Sequence, residues 1–358
     1  MLLEAAVAVI HLAWDCPVVL VAEEAIMMLA VQELLVKDMT VGKEHFKYPR
    51  IAPPEMQDIE TPEQAKQKAQ DLLRAVIAYA KTRKINTWVA FDPVSLPANL
   101  ARYTPNRTGD SPFQDVLGGV YMCPTDPVIL AINESRMKSL FTTYPEAEGY
   151  FLWFPEMYPV CEDEKSRAFY SQERPKYLAD QMQRWKAYTS YERSGDRVVD
   201  SNNGTLELMR QALAVRDRIN PKAKVGIGAF GRGFFFPSLD KAVPKDVPFS
   251  DMISRAIWTA TGAPMQDYGG MGDRERTLIT RSDDDSGMFG MKFNVNMFYK
   301  DRTFEGALEN GVTGHVMQVN RARGMEQNEK FMADGAWKPH MKPGEFYQDY
   351  VRRIFGEA

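Results

Sequence analysis

The chain is poor in the residues that usually announce a metalloprotein or a disulfide-stapled protein. Three cysteines, Cys16, Cys123 and Cys161, are an odd number with no C-x-x-C spacing. That count argues against a disulfide framework and against a structural zinc site, leaving buried, incidental thiols as the expectation. Only four histidines occur, His11, His45, His315 and His340, and none stands in an H-E-x-x-H arrangement, so zinc-hydrolase chemistry has no motif. No run of five basic residues appears, and 44 basic against 48 acidic residues give a net charge of −4. General binding to a phosphate backbone is thereby disfavoured, and no nucleic-acid partner is expected. The uncharged stretch Ala5–Trp14 is far short of a membrane span. It also makes a poor export signal, because Glu4 precedes it, Asp15 interrupts it and Glu23-Glu24 follow. The expectation is a chain without signal peptide or membrane helix, cytoplasmic as it stands. Repeats, low-complexity tracts and Ser/Gly linkers are missing too.

Against these absences stands a fair aromatic supply of 6 Trp, 15 Tyr and 19 Phe. Gly149-Tyr-Phe-Leu-Trp-Phe-Pro-Glu156-Met-Tyr-Pro159 concentrates it. Such an apolar run reads as a buried strand of a parallel sheet, with a carboxylate where the run breaks at Pro155 and Pro159. In (β/α)8 barrels the chemistry sits at that carboxyl end of the strands. Aromatic rings beside a carboxylate suit sugars, whose C–H faces stack on rings while an acid protonates the glycosidic oxygen. The plainer alternative is that Glu156 caps the next helix or pairs with an arginine.

The clearest helix runs from Thr61 to Lys84. Thr61-Pro62-x-Gln64 supplies an N-cap, a proline at the first position and part of a capping box. Ala65, Ala69, Leu72, Leu73, Val76 and Ala80 then form one apolar stripe. The chain passes directly into a strand, Ile85 to Phe91, that ends in Asp92-Pro93. Helix, short junction, buried strand and acidic end are the repeating pattern of an α/β barrel. It recurs with a helix from Asp126-Pro127 to about Thr143 before the strand Tyr150–Phe154. A helix near Thr205–Ile219 precedes Lys224–Phe230, and Val247–Ile253, Arg276–Thr280 and Val312–Val319 complete six strands. A short helix, Phe304–Leu308, precedes the last. Gly226-x-Gly228-x-x-Gly231 is no dinucleotide site, because its glycines lie within a strand and no helix opens at Gly231. Small residues inside a barrel strand explain it better.

The front supplies no two clean strand–helix units. Ala5–Trp14 and Glu23–Leu35 read as helical, with Val18–Val21 as one short strand. The expected organisation is an N-terminal helical segment, 1–50, followed by a catalytic domain, 51–358. The fold class is α/β, a (β/α)8 TIM-type barrel that is either irregular in its first strands or incomplete at the N-terminus. An incomplete barrel needs its open edge covered by the N-terminal helices or by a second subunit, so self-association is expected.

Numbered back from the last strand, the strand before Glu156 is the fourth and the one before Asp283-Asp284-Asp285 the seventh. Carboxylates at these two places suit a glycosidase, with Glu156 as general acid/base and one aspartate of the cluster as nucleophile or second carboxylate. A solvated acidic loop that holds a cation or an arginine is the alternative for the aspartates. Asp92, ending its strand, suits a sugar hydroxyl or a helix cap. Trp153 and Tyr158 flank Glu156 as a stacking platform, though alternation sends part of this run into the core. His315 in the last strand is expected at the barrel mouth or as a core histidine. Arg321 and Arg323 suit a carboxylate or sulfate clamp, or the solvated surface. Asn-x-Ser/Thr at Asn106, Asn133 and Asn203 carries little weight without an export signal.

Cys123-Pro-Thr-Asp-Pro127, a helix, Tyr144-Pro-Glu-Ala147 and a strand leading to Glu156 together resemble barrel glycoside hydrolases of the β-hexosaminidase and α-glucuronidase groups. Gly311-Val-Thr-Gly-His315 and Phe331-Met-Ala-Asp-Gly-Ala-Trp337-x-Pro339 are similar to the last strand and helix of that assembly. The resemblance covers roughly Ile85 to Pro339 and implies cleavage of an oligo- or polysaccharide by paired carboxylates, without organic cofactor or metal. One departure counts against substrate-assisted cleavage of an N-acetyl sugar: that pattern has an Asp-Glu pair where Pro155 precedes Glu156 here. Competing classes are a non-catalytic carbohydrate-binding barrel, an inactive fragment, and a metal-dependent barrel enzyme using Asp283–Asp285, Glu156 and His315 as ligands.

Overall fold

The computed structural model describes residues 7–12, 17–22, 61–91, 93, 95–97, 119–121, 123–154, 160–185, 195–230, 235–252, 269–281, 303–318 and 326–356. A first hairpin pairs β1 (Val7–Leu12) with β2 (Pro17–Ala22). Helix α1 (Pro62–Thr82) leads to β3 (Asn86–Phe91), and a small antiparallel pair, β4 (Ser95–Pro97) with β5 (Gly119–Tyr121), precedes α2 (Pro127–Thr143). Then come β6 (Gly149–Phe154), α3 (Glu164–Trp185), α4 (Gly195–Ile219) and β7 (Lys224–Phe230). The chain continues with α5 (Phe236–Ala242), β8 (Phe249–Met252) and β9 (Arg276–Arg281). It finishes with α6 (Thr303–Glu309), β10 (Gly314–Gln318), α7 (Glu326–Trp337) and α8 (Pro343–Phe355).

Six strands, β3, β6, β7, β8, β9 and β10, run parallel and curl into the main wall. These are the six that the helix–strand pattern marks out. The front of the chain differs from its sequence reading: Val7–Leu12 is a strand where a helix is expected. Val-Ala-Val-Ile and Val-Val-Leu-Val are β-branched runs that fit a pleated sheet better than a helix. β2 lies parallel to β3 and β1 lies antiparallel to both β2 and β10, which closes the ring in the order β1-β10-β9-β8-β7-β6-β3-β2. The open edge that an incomplete barrel would leave is filled by this hairpin. Helical cover for that edge, or a second subunit, is then not required. Counted round the ring from β1, β6 is fourth and β9 seventh.

Parallel strands covered by helices bury both faces, and the two faces here have different compositions. One carries Val89, Tyr150, Leu152, Val225, Ile227, Ala229, Phe249 and Leu278 against Leu73 and Ile77 of α1, Met137 and Leu140 of α2, and Leu206 and Met209 of α4. The other lines the inside of the ring. There aromatic rings lie over glycines of the next strand: Trp88 over Gly149, Phe151 over Gly226 and Trp153 over Gly228. Trp88 and Phe151 also touch each other, with ring centroids 4.7 Å apart. Farther round, the Ser250 and Thr277 hydroxyls are hydrogen-bonded at 2.7 Å. A second cluster, Phe304, Phe331, Met332 and Phe346, joins α6, α7 and α8.

The helix ends follow local chemistry. Thr61 and Gln64 form the reciprocal capping box that the sequence spells out, with bonds of 3.1 and 3.2 Å. Asp126 caps α2 by accepting from the Val128 amide at 2.8 Å. α4 begins ten residues before the expected Thr205. Asp200, Ser201, Asn202 and Asn203 look like loop residues but are buried in the helix. Asp200 is held there by both nitrogens of the Arg174 fork, at 2.7 and 2.5 Å.

At the amino ends of β8 and β9 a buried cation holds the connections together. The Arg274 side chain is fully buried and donates to Asp240 Oδ1 at 2.6 Å and to the carbonyls of Val243, Pro244 and Val247 at 3.1, 2.8 and 2.5 Å. Its guanidinium also lies 4.2 Å from the centre of the Phe249 ring. Replacing it leaves Asp240 with Lys245 as its remaining cationic partner in this cluster and takes the guanidinium away from the carbonyls of Asp240, Val243, Pro244 and Val247. Arg274→Met should therefore cost about 3–5 kcal/mol in urea denaturation. Burial works to raise the Asp240 carboxyl, but Lys245 and Arg274 outweigh it and hold it below the usual carboxylate range. A depressed folded pKa gives stability that is complete above the unfolded value and is lost as pH falls through the folded one. Arg274→Met should flatten that acid-side decline, which a pH series of denaturation curves measures.

Candidate functional site

The parallel strands deliver their connections to one end, and β6 and its neighbours build that end most fully. Trp153 is the last residue of β6 that faces the inside of the ring; its ring covers Gly228, where an added Cβ would stand 2.2 Å from the indole. The residue is partly buried, in contrast to Trp88 and Phe151 deeper in the ring. A flat aromatic surface is thus held near the carboxyl end of the fourth strand by the absence of a side chain on its neighbour. Gly226 and Gly228 serve as room for rings, in agreement with the small-residue explanation of this glycine pattern.

Two connections leaving the adjacent strands β3 and β6 are fastened to each other. Cys123, which follows β5, and Cys161, which precedes α3, are joined by a disulfide with Cα atoms 5.6 Å apart. This corrects the expectation of separate, incidental thiols. The odd count misleads because Cys16 is the third cysteine, and the two that pair lie 38 residues apart on neighbouring crossovers. Both are buried. Beside the bridge the Thr125 and Ser166 hydroxyls meet at 2.6 Å, and the Cys161 amide donates to the Tyr170 hydroxyl at 3.4 Å. Pro124 sits on Gly204 of α4, where a Cβ would come within 2.9 Å of the proline ring. Asn133 ties α2 to the second residue after β3 by donating to the Pro93 carbonyl at 2.6 Å.

The electrostatics of this corner keep it neutral at the phenol and ionised at the carboxylate. Burial pushes the Tyr170 hydroxyl up to about 12, helped by Asp200 and Asp163 and opposed by the Cys161 amide. For Asp163 burial works upward, but the Ser166 hydroxyl and amide bring its carboxyl below the usual range. The two bridge sulfurs and an Asp163 oxygen lie within 4.8 Å of one another, the one cluster with metal-ligand geometry among the described residues. The sulfurs are bonded to each other there, so in this state they are not thiolate ligands.

Of the residues singled out by sequence, Trp153 and His315 are described. His315 is the second residue of β10, and its ring is 5.0 Å from that of Phe304, facing the helix layer and not the carboxyl end of the strands. It is a buried histidine against an aromatic ring, the core placement that was the alternative to the barrel mouth. Glu156, Tyr158, Asp92, Asp283, Asp284, Asp285, Arg321 and Arg323 lie outside the described residues. The strands that precede them in sequence, β3, β6, β9 and β10, run parallel, so their carboxyl ends lie on one side of the sheet. The bridge, Tyr170 and the buried start of α4 were missed by sequence reasoning. Asn133 and Asn203 are buried in helices, which removes them as exposed glycan acceptors in the folded chain. No helix among the described residues is long and apolar enough to cross a membrane.

No family model and no curated protein matches the chain. Among solved structures, a beta-galactosidase from Rahnella sp. R3 shares 13% identity over 83% of this chain and 47% of its own, with a TM-score of 0.44. A protein named PfGH50B shares 12% identity over 80% of this chain and 52% of its own, with a TM-score of 0.41. A beta-galactosidase from Bacillus circulans sp. alkalophilus shares 16% identity over 51% of this chain and 32% of its own, with a TM-score of 0.33. The chain thus spans about half the length of the first of these. Likeness at this level identifies neither a family nor a reaction.

Gly228→Ala tests the aromatic surface. The methyl group must displace the Trp153 indole, so a loss of about 1–3 kcal/mol with a shifted tryptophan emission is expected. An unchanged emission spectrum at unchanged stability would show that the ring does not rest on Gly228.

Proposed function

We propose that the chain is a glycoside hydrolase acting at the carboxyl end of its parallel strands, with Glu156 as general acid/base and one of Asp283, Asp284 and Asp285 as the second carboxylate. The observation that supports this best is Trp153. Its partly buried ring faces the inside of the sheet at the end of the fourth strand, three residues before Glu156. A ring so placed offers a stacking face to a pyranose, and the carboxylate that follows three residues later in the sequence would supply the proton that a glycosidic oxygen needs. Tyr158, Asp92, Arg321 and Arg323 complete the proposed substrate contacts, while His315 drops out because its ring packs against Phe304. The substrate class is an oligo- or polysaccharide.

In this reading Glu156 gives its proton to the leaving oxygen and then takes one from water. The partner aspartate stays ionised, so the two carboxyls must titrate apart, Glu156 above and the aspartate below. Their separation decides the stereochemical result: roughly 5–5.5 Å for retention and more for inversion.

Glu156→Gln keeps the shape and removes the transferable proton. Turnover should drop by about 10²–10⁴-fold with the thermal midpoint unchanged. Activity within a few-fold of the parent would take Glu156 out of the mechanism.

The aspartate cluster separates the competing readings. One Asp→Asn change alone should abolish turnover, and an activated fluoro-sugar should label that same position if the enzyme retains configuration. Three equal, mild losses would mean a solvated loop. Loss of activity to a chelator and recovery on adding a divalent cation would place the chain among metal-dependent barrel enzymes. Saturable sugar binding without turnover would leave a carbohydrate-binding barrel.

A further inference from the structure

The Cys123–Cys161 bridge joins two connections, not two core elements. The helix-facing core spans α1, α2, α4 and the strands and contains neither cysteine. What the bridge fixes is the point where the chain arrives at α3 after leaving β6, and Glu156 lies among the six residues between Phe154 and Cys161. Four further contacts act at the same point. The Thr125 and Ser166 hydroxyls meet at 2.6 Å, Asp163 Oδ1 accepts from the Ser166 amide at 3.1 Å, Tyr170 receives the Cys161 amide, and Pro124 is seated on Gly204. The bridge and these four contacts thus converge on the start of α3, on the side where the parallel strands end.

We propose that the Cys123–Cys161 bridge, with the Thr125–Ser166 hydroxyl pair, is a positioning device for the β6–α3 connection, and that reducing it weakens proton transfer at Glu156 while leaving the barrel folded. The chemistry is thiol–disulfide exchange. An external dithiol supplies two electrons and two protons; the Sγ–Sγ bond breaks, two thiols form, and the dithiol closes to its own disulfide. Cys123 and Cys161 are positioning residues, acting through the segment they hold. This rests on the glycosidase reading for its catalytic part and on the fold alone for its mechanical part.

The test compares the oxidised chain, the dithiol-reduced chain and Cys123→Ser/Cys161→Ser, each shown to be folded by near-ultraviolet circular dichroism. Thr125→Val/Ser166→Ala, which keeps the bridge, stands in if the cysteine variant does not fold. Hydrogen exchange is read first, since it needs no activity. Amides of Cys161–Tyr170 and of residues 123–130 should exchange at least about ten-fold faster on reduction, while Val225–Ala229 stays unchanged; a uniform rise, or none, overturns the proposal. Turnover is then read on two glycosides of one sugar. A group misplaced by about 1 Å can cost up to about 10²-fold, so a glycoside with an alkyl leaving group, which needs the proton, should slow by about ten-fold or more. A dinitrophenyl glycoside, which leaves without protonation, should slow by less than about three-fold. Equal losses on both would make the bridge a plain structural staple and overturn the positioning role. If the oxidised chain cleaves no glycoside, the glycosidase reading fails by itself, and the exchange result alone decides the mechanical part.

Discussion

The architecture depends on rings seated on glycines. On β3 and β6 the inward rings of Trp88, Phe151 and Trp153 each find a place over a residue without a side chain on the neighbouring strand. A Cβ at Gly149, Gly226 or Gly228 would stand 2.2–2.4 Å from ring carbon, well inside contact distance. The wall can therefore turn tightly and still fill its inside, since a large side chain and a missing one alternate across the sheet. This packing also fixes which way Trp153 faces, and so supplies the one aromatic surface near the strand ends among the described residues.

The six parallel strands and the helices before them were legible because their signals are local. Thr61-Pro62-x-Gln64 states a helix start in four residues, Asp126-Pro127 does the same, and apolar runs of strand length follow both helices. What was not legible depended on distant partners. Val7–Leu12 favours a strand by its β-branched residues, but its place between β2 and β10, which closes the ring, depends on partners far away in the sequence. Asp200 to Asn203 lie before the helix expected from Thr205, yet they are buried in it, with Asp200 held by Arg174. Cys123 and Cys161 pair across two crossovers, and counting cysteines cannot show it. For the site, the strand ends that carry Glu156 and Asp283–Asp285 were legible, whereas the inward direction of Trp153 and the outward direction of His315 depend on neighbouring strands and helices.

The two ends of the sheet are built on different principles. At the amino end, Arg274 gathers backbone carbonyls and one carboxylate around a buried positive charge. At the carboxyl end, the connections of β3 and β6 are held covalently and by hydroxyl pairs. A buried charge with many backbone partners suits a region that only has to be stable, because it tolerates little change. A bond that electrons can open suits the end from which chemistry is proposed.

The closing hairpin has a consequence in time. β1 comes before the other strands of the ring and pairs with β10, so that Val9 meets Met317 across a sequence gap of roughly 300 residues. The parallel wall can assemble strand by strand as the chain lengthens, each step bringing in a near neighbour. Closure has to wait for β10, and until then the hairpin, already joined to β3, offers an unfilled edge to whatever strand it meets. Slow synthesis or a crowded nascent chain would lengthen that wait. Completion of the ring, and not the nucleation of its wall, is then the step at which this protein is most exposed to misassembly.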